Sequence, residues 1–155
     1  MNASFVKNLI KGKIAEVIFE EMFRESEEFT IIQIGYEHTI PELAQYQHHV
    51  QIKKVLENIR SAPDFVLINK DKTEVFLVEV KYRETLLKTD LLKIATEISK
   101  RWNPCWLFVA SKTGFYFSPC HTIVNTQGNI DELSESWVRK EVKDESLKIL
   151  KDFIG

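Results

Sequence analysis

The sequence predicts an α/β domain, a mixed central sheet flanked by helices. Three observations carry this. Two runs rich in β-branched and aromatic residues, 65–68 and 75–80, flank the polar cluster Asn69-Lys70-Asp71-Lys72-Thr73, which reads as an antiparallel hairpin. The segment 85–102 places Leu87, Leu91, Ile94, Ala95, Ile98 and Trp102 at helical spacing. The run 105–110 after it is short and wholly apolar, as a strand is when a helical crossover brings it into a buried, parallel position.

The elements follow in order. Residues 3–24 read as one long helix, capped by Asn2 or by Ser4. At about 100° per residue its apolar arc is unusually wide, running from Phe19, Phe5, Phe23 and Leu9 on one side to Met22, Ile18, Ile14, Ile10 and Val17 on the other. Glu16 falls inside that arc, Glu20 on its margin and Glu21 on the far side. A carboxylate in a buried arc needs a partner. Gly12, on the side of Glu16, would let the helix approach another backbone closely.

After a polar break, residues 30–36 read as the first strand. Pro41 then opens a helical stretch to about residue 59, which is either two short helices or an insertion over the mouth of a site. His38, His48 and His49 lie in or before it. Adjacent histidines on a helix point about 100° apart and do not chelate one ion, so a surface or partner-facing role fits them better. Pro104 closes the helix 85–102, with Thr89-Asp90 as an alternative, later start. A turn at 111–114 leads into a strand at 115–117. Residues 119–129 read as irregular, with a short strand at 122–124 as an option. The tail from residue 130 reads as helical and charged, with one apolar stripe of Leu133, Trp137, Val138 and Val142 and another of Leu147, Leu150, Phe153 and Ile154. Asp144-Glu145-Ser146 is a candidate break between two helices.

Composition bounds the function. At 155 residues, 44% apolar and 28% charged, the chain reads as one domain, 1–155, with the helical insertion at about 40–60 and the C-terminal helical segment at about 131–155. No apolar run approaches the roughly 20 residues of a membrane span, and no basic region followed by a long apolar stretch opens the chain. A cytoplasmic protein without membrane contact is expected. Cys105 and Cys120 lack metal-ligand spacing and are expected to be reduced thiols. The net charge of −2 argues against a strong nucleic-acid binder, but its distribution does not. Residues 53–101 carry eleven Lys and Arg against eight Asp and Glu, a net of +3, and the remainder carries ten against fifteen, a net of −5. Serine or cysteine hydrolysis finds no support. There is no Gly-x-Ser-x-Gly, and Cys120 and His121 are neighbours whose side chains would point to opposite sides of an extended segment. The five glycines are spread out and form no phosphate-cradling loop.

The hairpin carries the chemistry. If Asn69 pairs with Glu74, the loop is residues 70–73, and Val66 faces Leu77 while Asp64 faces Glu79. Opposed residues in an antiparallel pair share a face, with Cβ atoms about 5 Å apart. Lys81, two residues past Glu79, shares it too. Two carboxylates so placed repel each other unless one is protonated or a cation intervenes. Hard divalent ions such as Mg²⁺ take carboxylate oxygens and keep several waters, so the register reads as a metal site with a lysine beside it.

Pro63-Asp64, followed by Glu79-Val80-Lys81 on the next strand, resembles the signature of the PD-(D/E)xK nuclease superfamily, the restriction-endonuclease-like fold, its small resolvase-like and restriction-like members above all. The motif stretch is residues 61–83. The order helix, strand, insertion, strand, strand, helix, strand extends a weaker resemblance to an αβββαβ core over most of the chain. The resemblance implies a Mg²⁺-dependent endonuclease, with Mn²⁺ as a substitute, acting on nucleic acid, DNA above all. It implies that Asp64 and Glu79 bind the metal and that Lys81 assists the attacking water. It also implies an acid on the first core helix, for which Lys11-Gly12-Lys13-Ile14-Ala15-Glu16 is similar to the family pattern. Glu16 is the expected residue and Glu20 the fallback. The Val80 carbonyl is an extra candidate ligand. Arg83, Lys88 and Lys93 are candidates for nucleic-acid contacts, with Lys100 and Arg101 beside them. Relatives that cut both strands are commonly dimers, which admits a homodimer here. The alternative is a nuclease-fold module that binds nucleic acid or protein without turnover.

Overall fold

The structure, a computed structural model, describes residues 2–35 and 62–155. The helical stretch expected at 41–59, with His38, His48 and His49, lies outside the described residues. Nine elements are seen among the described residues. Helix α1 is Ala3–Glu25, and strand β1 is Phe29–Gln33. Strands β2, Phe65–Asn69, and β3, Val75–Tyr82, form the hairpin. Helix α2, Lys88–Ser99, leads to β4, Trp106–Ser111, and β5, Gly114–Pro119. Helices α3, Cys120–Asn125, and α4, Lys140–Ile154, complete the chain.

The five strands form one sheet in the order β1-β2-β3-β4-β5. Among the described strands only the β3–β4 pair is parallel, which is what the α2 crossover permits. The hairpin has the register expected from its turn, with Val66 opposite Leu77 and Ile68 opposite Val75. Asn69 explains why. Its side-chain oxygen accepts from the backbone N–H groups of Thr73 and Glu74, both at 2.8 Å, and so holds the loop as a fixed turn. The helix–three strands–helix–strand order and the mixed sheet between helices are those expected from the sequence.

Each face of the sheet has its own core. Phe65, Leu67, Val78, Val80 and Phe108 bury against Ala15, Ile18, Phe19, Met22 and Phe23 of α1 and Leu150 of α4. Leu107 and Val109 bury on the other face against Leu91, Ala95 and Ile98 of α2 and Ile123 of α3, with Leu77 packed beside them. Val78 and Val80 point to α1, so Leu77, Glu79 and Lys81 alternate to the α2 side. Cys105 and Cys120 are free thiols, both buried in this second core.

Several expectations change. Asn2 rather than Ser4 caps α1, its Oδ1 accepting from Phe5 N–H at 3.1 Å. The wide apolar arc of α1 is only partly covered: Phe5, Leu9, Ile10 and Val17 are exposed, and with Ile149 and Phe153 of α4 the last three line an apolar groove. Gly12 serves no close approach, because a Cβ there would meet nothing within 4 Å. Helix α2 is shorter than 85–102, starting at Lys88 after an extended Leu87. Residues 120–125 form helix α3 rather than a strand at 122–124, since the chain leaves β5 directly into a turn that buries Cys120 and Ile123. The stretch from Ile130 to Arg139 is not helical. It runs against β5, with Phe117 N–H donating to Asp131 O at 2.8 Å and Leu133 N–H to Phe115 O at 2.9 Å. Leu133 is buried beside that strand contact, and Val138, in the turn that follows, is buried in the α1-side core. Asp144-Glu145-Ser146 breaks nothing and lies within α4. Among the described residues no helix is long and apolar enough to cross a membrane.

Candidate active site

The carboxyl end of β3 and the residues just before β2 meet α1 around a cleft of about 610 Å³, lined by Glu16, Asp64, Glu79, Val80 and Lys81 among others. Asp64 lies just before β2, where β1 runs out. Its carbonyl accepts from Ile34 N–H at 3.0 Å and Gly35 N–H at 3.3 Å, and Pro63 before it is buried. The Asp64 backbone is therefore fixed by the sheet. Its side chain is fixed too, because Oδ2 accepts from Val80 N–H at 2.8 Å. This bond spends the Val80 amide on a carboxylate and ties the motif strands together at their functional end.

Asp64 is the centre of three acids. Its carboxyl is in hydrogen-bonding contact with Glu79 on one side and with Glu16 on the other. Two carboxyl groups make that contact only when one keeps its proton. The energetics agree. Burial, followed by the Glu79 contact and charge, pushes the Asp64 pKa up to about 8, against the opposing pull of the Val80 amide and Lys81. Glu16 is raised as well, by burial first and then by Asp64, with Lys13 Nζ at 3.5 Å from its Oε2 pulling the other way. Glu20, the fallback, faces elsewhere: it holds Arg24 at 2.6 Å and Gln33 at 2.7 Å.

The fit to a divalent ion can be tested on these groups. Among the described residues no three Asp, Glu, His or Cys side chains are gathered at the mutual spacing of ligands around one ion. Mg²⁺ does not require three, since it commonly takes one or two carboxylates and keeps several waters. Asp64 with either neighbour is such a hard-oxygen pair, and the proton that now relieves their repulsion is what a cation would displace. The donor set suits Mg²⁺.

The cations around the cleft are mostly engaged. Arg83 Nε donates to Asp90 Oδ2 at 2.6 Å and Nη1 to the Tyr82 carbonyl at 2.9 Å. Arg83 lines both this cleft and a second one of about 620 Å³ on the α2 side, which it shares with Glu79, Lys81, Lys93, Lys100 and Arg101. The two clefts thus share Glu79, Lys81 and Arg83 as lining residues. Lys88 lines neither, being the exposed first residue of α2. Lys11, Lys13, Tyr82 and Glu84 belong to the cleft or its flank, and sequence reasoning gave them no role. Lys11 and Lys13 stand beside Glu16 in the chain, which was a usable signal; nothing local marks Glu84.

No family model matches the chain, and no curated protein matches it in sequence. Among solved structures it is similar to that of Hjc, a Holliday junction resolvase from the archaeal hyperthermophile Archaeoglobus fulgidus. The identity is 17%, the alignment covers 92% of this chain and 98% of that one, and the TM-score is 0.40.

Proposed function

We propose that the protein is a metal-dependent nuclease that hydrolyses phosphodiester bonds of nucleic acid, DNA above all. One observation carries the reading: a half-buried aspartate whose pKa is pushed to about 8, by desolvation first and then by an adjoining glutamate, at the mouth of a cleft and in contact with a second glutamate. Strongly perturbed acids in a cleft mark functional sites because a purely structural core has no use for the repulsion. In this reading Asp64 and Glu79, with Glu16 and the Val80 carbonyl, hold Mg²⁺ or Mn²⁺. The ion supplies Lewis-acid polarisation of the scissile phosphate and neutralises its charge. The Val80 amide holds the Asp64 carboxylate in place. Lys81, on the same side of β3 as Glu79, donates to charge developing on the phosphate or orients the attacking water. Arg83, Lys93 and Lys88 contact the strand on either side.

The test is cleavage of branched, duplex and single-stranded substrates with Mg²⁺, Mn²⁺ or chelator. Lys81→Ala is expected to lower cleavage about 100-fold or more while binding of metal and nucleic acid stays near wild type, because the loss falls on the transition state. Asp64→Asn is expected to remove both cleavage and metal binding. Cleavage that survives both substitutions would place the activity elsewhere.

A second reading, a nuclease-fold module that binds without turnover, draws on the ion pairs that occupy the cleft cations and on the looseness of the three acids as a ligand shell. Binding of nucleic acid with no metal-dependent cleavage on any substrate would favour it.

A further inference from the structure

The geometry points to a second phosphate subsite on the flank of the cleft, built from Lys11 and Lys112 and filled in the ligand-free protein by the side chain of Glu84. It rests on the nucleic-acid reading above and names where that strand is held.

Beyond β3 the backbone is pinned to the end of β4. Arg83 N–H donates to Ala110 O at 3.0 Å, and the Ser111 hydroxyl to Glu84 O at 3.4 Å. This sets Glu84 beside Lys112, the first residue after β4. Helix α1 crosses the same end and brings Lys11. Lys11 Nζ lies 2.8 Å from Glu84 Oε1, and Lys112 Nζ lies 3.8 Å from Oε2. One carboxylate thus shows one oxygen to each of two ammonium groups. A phosphodiester has two non-bridging oxygens of the same charge type and accepts the same pair of donors.

Two further features fit. The Tyr82 hydroxyl is buried and has no hydrogen-bond partner of proper geometry among the described residues, while Lys11 stands 5.6 Å from the centre of its ring. Burial and the nearby Glu84 hold its pKa at about 12, so the hydroxyl keeps its proton and remains a donor. Glu84 itself is half exposed, with 53% of its side chain accessible. It can swing into water at small cost, since exposed ion pairs contribute little. Its companions in the cleft differ: the acid paired with Lys13 is Glu16, which also contacts Asp64, so that pair belongs to the active site.

The subsite is close enough for one strand to reach both places. Glu84 is three residues past Lys81, at most about 10 Å along an extended chain. Glu84 is then a competitor built into the site, displaced by backbone phosphate and indifferent to base sequence.

The experiment is a salt titration of binding to fluorescein-labelled duplex and single-stranded oligonucleotides, read by anisotropy in chelator so that nothing is cut. The Lys11→Ala/Lys112→Ala double variant is expected to flatten the slope of log K against log salt by about 1.4 to 1.8, the share of two phosphates. Glu84→Gln is expected to tighten binding by about 1.5- to 5-fold at low salt, the range of one surface ion pair, and to change nothing in the double-lysine background. Lys70→Ala, in the turn at the far end of the hairpin, serves as the control for general surface charge. If wild type binds but the double variant keeps the slope of Lys70→Ala, or Glu84→Gln tightens binding equally with and without the two lysines, the subsite is wrong and the nuclease reading stands. If wild type binds no oligonucleotide at low salt, the nucleic-acid reading falls and the subsite with it.

Discussion

Asp64 is held by contradictory demands. The Val80 amide favours its charged form, and burial with Glu79 alongside favours the neutral one. The balance lies with the proton, and this sets a pH dependence. A folded-state pKa of about 8 exceeds the ordinary value of 3.8, so the stability contributed by protonated Asp64 is complete below about pH 4 and is lost as pH rises through 8. In chelator, the melting temperature should therefore fall on going from about pH 6 to about pH 9, and Asp64→Asn, which cannot ionise, should remove most of that fall. In wild type the gain in melting temperature on adding Mg²⁺ should grow over the same interval, because the ion takes over the proton's role. A melting curve of Asp64→Asn with the wild-type slope would show that another group titrates. The residues of this site were legible as a pattern: the turn cluster at 69–73 sets the register that brings Asp64 to Glu79. That Asp64, and not Glu79, sits between two acids was not legible, because Glu16 arrives from a helix 48 positions earlier in the chain.

At the scale of elements, two glycines show how far local sequence carries. Gly128 has φ +106 and follows α3 where the chain presses on the start of α2, so close that a Cβ would stand 2.2 Å from Lys88 O. Gly128→Ala should lower stability by at least about 1–3 kcal/mol, from backbone strain alone, and displace α3. Gly12 is the opposite case, a helical glycine with open space where a Cβ would go. Gly12→Ala should raise stability by about 0.5–1 kcal/mol. Denaturant melts of both variants check the signs, and a destabilising Gly12→Ala would mean that the close approach first expected of it does exist. Where helical or alternating periodicity was strong, as in α1, β2, β3, α2 and β4, the elements were read correctly to within a few residues. It failed between residues 119 and 139, while the stripe of Leu147, Leu150 and Ile154 did mark α4. Leu133, Trp137 and Val138 have helical spacing, yet Leu133 is buried because the chain bonds to the edge of β5. A five- or six-residue helix such as α3 leaves too short a pattern to distinguish from a strand.

Taken as a whole, the molecule is a sheet with one core on each face, and the larger core is aromatic. Phe19 is fully buried, with ring centroids 4.6 Å from Phe23 and 4.9 Å from both Phe65 and Phe108. It binds α1 to β2 and β4 and so holds Glu16 over the motif strands. Phe19→Ala should cost about 3–5 kcal/mol. At 2–4 °C per kcal/mol for a domain of this size, the melting temperature should drop by roughly 10 °C. In any fraction that stays folded, Mg²⁺ should stabilise less than it does wild type, which a thermal shift with and without the ion measures.

The sequence by itself determined the α/β class, the mixed sheet, the hairpin register and the pairing of Asp64 with Glu79. Each of these follows from side-chain period and turn chemistry acting over a few residues. Only the tertiary structure decided which acid of α1 meets Asp64, that Lys11 and Lys112 share Glu84, and that Arg83 is engaged by Asp90. Those contacts join residues distant in the chain, and their geometry comes from how α1 and α2 are seated on opposite faces of the sheet. Seating of that kind is a property of packed cores, to which every buried side chain contributes and which no short stretch of sequence encodes.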